Sequence, residues 1–262
     1  MTLLGLIVVA GWVLAAIAAP LLTPYDPLTQ SLPDRLQAPN LTHPLGTDEL
    51  GRDILSRVLY GGRITIPAGL IVIVVGSVVG SLVGMVAGYL GGSWDESIMR
   101  LTELFMAFPN IILAMAVTAA LGADIRNAML ALVIVWWPAS ARMMRSLVLS
   151  VKQAEHVEAT RSVGAPGRYI LFRSIVPNCL SPMIVLTTLE VGNAILAFAG
   201  LSFLGLGAEP SSPEWGRMVA VSVDFFDQWW MWLFPGVAIA SLVGAFNFIG
   251  DGLRDLTDPR LR

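Results

Sequence analysis

The sequence predicts an all-α polytopic membrane protein with six transmembrane helices, and three observations lead there. Hydrophobic residues make up 55% of the 262 and charged residues only 13%, with a mean hydropathy of +0.72. Soluble domains carry roughly 45–50% apolar and about 25% charged residues. Charge this scarce cannot cover a globular surface, and so apolar a chain is not disordered either. The apolar residues also fall into runs of about 20, the length that crosses a hydrocarbon core. Finally, most of the 35 charges (16 positive, 19 negative) sit in the segment before Arg63, the segment around Glu158 and the C-terminal tail.

The first run, Met1 to Leu22, holds no charge. Ala16-Ile17-Ala18 looks like a small-residue cleavage site, but the positive n-region of a signal peptide is missing, so the run reads as a membrane helix. From Thr23 to Gly62 the chain is too long for a plain connector. Pro24, Pro27, Pro33, Pro39 and Pro44 imply an extended or turn-rich path first. A short helix is then expected over Asp48–Tyr60 at the outer membrane face, capped by Thr47, with Arg52, Asp53 and Arg57 pairing among themselves.

The second run is Ile64 to Leu90. Gly76, Gly80, Gly84 and Gly88 recur every four residues there, on one helix face, and form a seam where a neighbouring backbone can approach. The third, Ile98 to Leu121, carries Glu103, Asn110 and Pro109, which should interrupt its hydrogen-bond ladder. The fourth runs from Asn127 to about Met144 and is expected to kink at Trp136-Trp137-Pro138. The fifth is Leu180 to Leu206, and the sixth about Trp230 to Ile249. Trp229, Trp230 and Trp232 suit a membrane–water interface. The divisions expected are a first helix (1–22), an outer linker (23–60), a helical core (61–251) and a tail (252–262).

Ten arginines and lysines fall on one side of this arrangement and six on the other. The positive-inside rule then puts both termini and the loop around Glu158 in the cytoplasm. Among the ten is the only lysine, Lys152, which reads as a matter of genome composition. A net charge of −3 points to no nucleic acid. Cys179, expected at the cytoplasmic end of the fifth span, is the sole cysteine, and His43 and His156 are the only histidines, too few for most metal or triad schemes. Without GxxxxGK[ST], HExxH or GxSxG there is no nucleotide or hydrolase signature.

The most informative loop spans about 150–178. It is helix-prone from Lys152 to Val163; Gly164 and Pro166 end that helix. A second short helix, Arg168–Ile175, precedes Pro177. The pair reads either as a solvated hairpin or as a docking element.

Glu158-Ala159-Thr160, then Gly164, then Ile175-Val176-Pro177 resembles the EAA–Gly–I-x-LP signature of bacterial ABC importer permeases, with Thr160 and Val176 as mild departures. Leu45-Gly46-Thr47-Asp48, Gly51-Arg52-Asp53 and Ser56-Arg57 resemble the LGTDxxGRDxxSR segment of the second permease subunit in the dipeptide/oligopeptide/nickel group. Leu201–Gly207, Pro213–Gly216, Phe246–Asp255 and Asp258-Pro259 are similar to the same group in order, over about nine-tenths of the chain.

The resemblance implies a type I ABC importer permease fold in a bacterial cytoplasmic membrane. Its partners would be a second permease, two cytoplasmic ABC ATPases and an extracytoplasmic solute-binding protein. ATP and Mg would be bound by the ATPases, with no cofactor in this chain. Glu158, Ala159, Thr160, Gly164 and Pro177 would form the ATPase-coupling loop. Ionisable residues within spans are functional candidates because they are costly there. Glu190 and Glu103, with Asn110 and Asn193, are therefore candidates to line the pathway; for Glu190 a buried pairing with an asparagine or the second permease fits equally. The outer linker and Pro213–Gly216 read either as a receptor for the binding protein or as a rigid scaffold. The implied cargo is di- or oligopeptide, with nickel or glutathione as alternatives. An ATP-independent channel or secondary transporter is the rival class; it would show matching halves, and none is evident.

Overall fold

The computed structural model describes residues 1–257; Asp258-Pro259, Arg260 and Arg262 lie outside the described residues. Among those described there is no β-strand, only an isolated bridge between Thr47 and Asp53. The helices are α1 (Thr2–Ile17), α2 (Ala19–Leu22), α3 (Ile54–Leu90), α4 (Gly92–Met106), α5 (Asn110–Leu121) and α6 (Ile125–Val151). They continue as α7 (Glu155–Ser162), α8 (Gly167–Tyr169), α9 (Val176–Phe203), α10 (Trp215–Ser222) and α11 (Trp229–Thr257).

Among the described residues, four helices are long and apolar enough to cross a membrane: α3, α6, the continuous rod Gly167–Phe203, and α11. A fifth candidate is α4 with α5, which pass only together and are bent by 88° at their break. The interruption expected at Pro109 is therefore a sharp corner. At 16 residues α1 is shorter than a span. Length and composition thus yield four spans, or five with the bent pair, where the sequence predicts six.

The rod α3 is 37 residues, about 55 Å at 1.5 Å per residue, and exceeds any hydrocarbon core. Its N-terminal end replaces the separate helix expected over Asp48–Tyr60. Thr47 is not the cap; Asp53 is, accepting from the Ser56 N–H at 2.7 Å. Thr47 instead donates its hydroxyl to the Asp34 carbonyl and accepts from the Gln37 N–H at 2.8 Å. The residues between Asp48 and Asp53 stay out of the helix because the Asp48 carboxylate holds the Leu50 and Arg52 N–H groups in a turn, both at 2.9 Å.

The glycine seam forms as expected. A Cβ at Gly76 would meet Trp136, at Gly80 Trp137 and Ser140, at Gly84 the Ala141 backbone, and at Gly88 Arg145 and Val148. So α3 lies directly against α6, which runs unbroken as a helix through Pro138. Two turns before Gly76 on the same face of α3, Gly69 receives Ile195 of α9. The helix α1 packs on α11, where Trp12 Nε1 donates to Ser241 Oγ at 2.9 Å. One apolar core joins α3, α6, α9, α10 and α11. A smaller one, of Met85, Met144, Val148, Val157, Ile175 and Cys179 among others, lies under the loop that carries Glu158.

Candidate functional site

The loop between α6 and α9 is a helix on an anchored base. Acidic Glu155 and Glu158 fall in the first turn of α7 and Arg161 in its last, each matched to the local end of the helix dipole. Val157 on its inner face is fully buried in the smaller core, which fixes which way α7 faces. On the outer side Glu158 and Ala159 are exposed, and the Glu158 carboxylate has no partner among the described residues. Thr160 is half-buried and donates its hydroxyl to the His156 carbonyl one turn back at 2.7 Å, so replacing alanine adds no unsatisfied group. Gly164 has φ +79° and open space around it, so the chain turns there by backbone conformation alone.

The expected second helix, Arg168–Ile175, is not separate. It is the end of the rod Gly167–Phe203, wound as a π-helix from Ile170 to Ile175. Pro177 sits in the first turn of α9 and lacks the N–H an α-helical ladder would use there. The wide π segment lies immediately before that ring. Asn178 Nδ2 donates to the Ser174 carbonyl at 2.8 Å and His156 Nε2 lies 3.4 Å from it, tying α7 to the rod.

Sequence reasoning missed what holds the loop. Tyr89, in the last turn of α3, donates its hydroxyl to the Gly167 carbonyl at 2.8 Å. Lys152 Nζ donates to the Tyr89 carbonyl at 2.8 Å and lies 5.5 Å from the centre of its ring. Both ends of the loop are therefore pinned to one helix end, and Lys152 has a structural use that composition did not suggest. The only sequence signal was a tyrosine at a span end, where its polar tip can reach a loop. Cys179 is fully buried, so a thiol reagent cannot report which side of the membrane it faces.

The ionisable residues predicted within spans are not brought together as one site. Glu190 is half-buried and accepts a hydrogen bond from Asn193 Nδ2 at 3.3 Å, a pairing with an asparagine as one sequence reading had it, though not a buried one. Glu103 and Asn110 are exposed on α4 and at the start of α5.

At the opposite end of α3 the 23–53 linker folds onto the segment before α10. Arg52, Asp53 and Arg57 do not pair among themselves. Arg52 bonds Asp48 at 2.6 Å and Glu49 at 2.8 Å, and Arg57 Nε lies 3.4 Å from Asp48. Asp53 takes His43 Nδ1 at 2.9 Å. The Arg57 guanidinium also donates to the carbonyls of Pro27, Ser211 and Ser212 at 3.0, 3.3 and 3.0 Å, stapling the linker to the segment after α9. Trp215 Nε1 donates to the Val58 carbonyl at 2.8 Å, and Trp230 Nε1 to the Thr47 carbonyl at 3.0 Å. Trp230 is thus buried in this block, while Trp229 is exposed.

Glu214 is wholly buried and caps α10, accepting from the Gly216 and Arg217 N–H groups at 3.0 and 2.8 Å and from Thr65 Oγ at 3.0 Å. Burial pushes its carboxyl above the ordinary value of 4.5, against those hydrogen bonds and one with Ser202, which favour the ionised form. A raised pKa means the folded state holds this proton more tightly than the unfolded state. Its contribution is most favourable below pH 4.5 and declines as pH rises from there through the folded value. Glu214→Gln is expected to flatten that part of the pH–stability curve and to cost about 1–2 kcal/mol through the lost cap. Thermal unfolding in detergent across pH measures both.

With this geometry in place, the comparisons are specific. Residues 80–262 match the profile described as "binding-protein-dependent transport system inner membrane component", and residues 1–39 that described as "N-terminal TM domain of oligopeptide transport permease C". The chain is 41% identical over 263 residues to a dipeptide transport system permease of Alkalihalophilus pseudofirmus, covering 100% of this chain and 86% of that one. It is 42% identical over 261 residues to a probable D,D-dipeptide transport system permease of Escherichia coli, covering 99% and 88%. A glutathione transport system permease of Salmonella typhimurium is 46% identical over 262 residues, covering 98% and 86%.

Proposed function

Because this chain belongs to the family of binding-protein-dependent transport system inner membrane components, we propose that it forms half of the translocation pathway of an ATP-driven importer of di- or oligopeptides. A second homologous permease supplies the other half. Two cytoplasmic ATPases drive it and hold the ATP and Mg, and an extracytoplasmic binding protein delivers the substrate. The observation that carries the reading is the anchored helix α7: buried Val157 fixes it from below while Glu158 and Ala159 face outward without a partner. In this reading α7 docks in a groove on the ATPase, with Ala159 allowing close approach and Gly164 setting the angle to the rod. Closure of the ATPases then moves the rod and its pinned neighbour α3 as levers.

Counting α1 with α2 and α4 with α5 as one crossing each completes six spans, with both termini cytoplasmic. The divisions follow: 1–22 as the first span, 23–60 as outer linker, 61–251 as the core and 252–262 as tail. Glu103, Asn110, Glu190 and Asn193 are the proposed polar groups of the pathway. The outer block, stapled by Arg57 and Glu214, serves as a rigid scaffold at its mouth. Import of glutathione by the same machinery is the second reading, favoured by the 46% identity above.

The test is reconstitution in proteoliposomes. The chain alone is expected neither to hydrolyse ATP nor to move Ala-Ala; both activities appear when the second permease, the ATPases and the binding protein are added. Solute movement by the chain alone, independent of ATP, would instead establish a channel or secondary transporter.

A further inference from the structure

A cavity of about 420 Å³ opens between α4 and α6, lined by Met99, Thr102, Glu103, Met106, Arg142 and Arg145. Arg145 is neutralised: its Nε and one terminal nitrogen bond the Asp95 carboxylate at 2.5 and 2.6 Å. Arg142 is not. Its guanidinium bonds the sulfur of Met106, and no carboxylate pairs with it among the described residues. The Glu103 carboxylate is also without an ion pair or hydrogen bond among the described residues. Opposite charges within membrane helices are costly and normally pair. Here one of each sign faces a shared space without closing on the other.

The geometry points to a subsite for a zwitterion, in which Arg142 takes the carboxylate of a peptide and Glu103 takes its ammonium group. A guanidinium offers two parallel N–H donors to a carboxylate, which gives orientation as well as attraction. The adjoining break between α4 and α5 at Ala107–Pro109 is the discontinuous-helix arrangement that lines substrate sites in other transporters. With Arg145 paired to Asp95, the cavity offers a cation one carboxylate, Glu103, and the opposing charge of Arg142. Among the described residues there is also no cluster of three or more His, Cys, Asp or Glu that could hold one. The inference rests on the peptide-import reading and narrows it: this chain reads the two charged ends common to peptides, leaving side-chain choice to the binding protein.

Met99→Cys in the assembled transporter places a thiol at the cavity, while native Cys179 is buried and silent. Ala-Ala at millimolar concentration is expected to slow its labelling at least about threefold. Ala-Ala-amide, lacking the carboxylate, is expected not to, and Arg142→Gln should remove the protection. In uptake, Arg142→Gln should lose about tenfold with Ala-Ala while Arg142→Lys, which keeps the charge, stays within about threefold. No protection by Ala-Ala, equal protection by the amide, or protection only by added phosphatidylethanolamine, a lipid zwitterion, would overturn the subsite. Failure of the wild-type complex to import any peptide would instead strike the underlying functional reading.

Discussion

Glu158→Arg is expected to leave the protein inserted and assembled yet lower ATP-driven uptake by at least about tenfold, with ATP hydrolysis continuing. The side chain points away from the anchored base, so reversing its charge forfeits its favourable place at the N-terminal end of the α7 dipole and no packing contact. Otherwise it affects only whatever lies beyond α7. An exposed substitution with no folded-state partner costs within about 0.5 kcal/mol of stability, whereas a like charge set against a cationic groove costs far more in docking. Gly164→Val should give the same phenotype by another route. At φ +79° a β-branched residue is strained by roughly 1–2 kcal/mol although nothing crowds it. The chain would relieve that by swinging α7 about its turn. Gly164→Asn, which tolerates the left-handed region, should retain most uptake. Ratios of peptide imported to ATP hydrolysed in proteoliposomes decide the matter. Normal ratios in Glu158→Arg and Gly164→Val would remove α7 from the coupling role.

Gly84→Val should have the largest effect on the fold. Its new Cβ would sit within contact distance of the backbone carbonyl, carbon and Cα of Ala141, none of which is a flexible side-chain end. Two membrane helices must separate to admit it. Overpacking of a close interface costs about 1–3 kcal/mol and occasionally more, and here it strikes the seam on which α3 and α6 meet. The expected result is a severe loss of monodisperse protein after detergent extraction. Gly244→Ala is the control, because a Cβ there meets nothing within 4 Å and alanine favours a helix by up to about 1 kcal/mol. Equal yields of the two variants would show that the seam does not hold the helices.

The same two regions show how far local pattern reaches. A glycine every four residues prescribes which face of α3 must be flat, because helical periodicity is a property of the chain itself. The turn at Gly164 and the corner at Pro109 are likewise written in single residues whose backbone limits are intrinsic. Runs of apolar residues marked where most spans lie, but not where α3 begins. That was decided by Asp48, whose carboxylate takes the Leu50 and Arg52 N–H groups, and by Asp53, which takes that of Ser56.

What the sequence determined, then, is a membrane-embedded helical chain, its glycine seam, and a polar loop carrying Glu158. Composition, periodicity and backbone restriction act over a few residues and need no partner to be read. What only the tertiary structure decided is which charges are already spoken for. Arg57 spends its donors on carbonyls 30 and more than 150 residues away, and Arg145 on Asp95 fifty residues back, whereas Glu158, Glu103 and Arg142 remain without a carboxylate or guanidinium partner among the described residues. A charge's availability depends on what lies within about 4 Å of it, and sequence spacing carries no information about that across such separations.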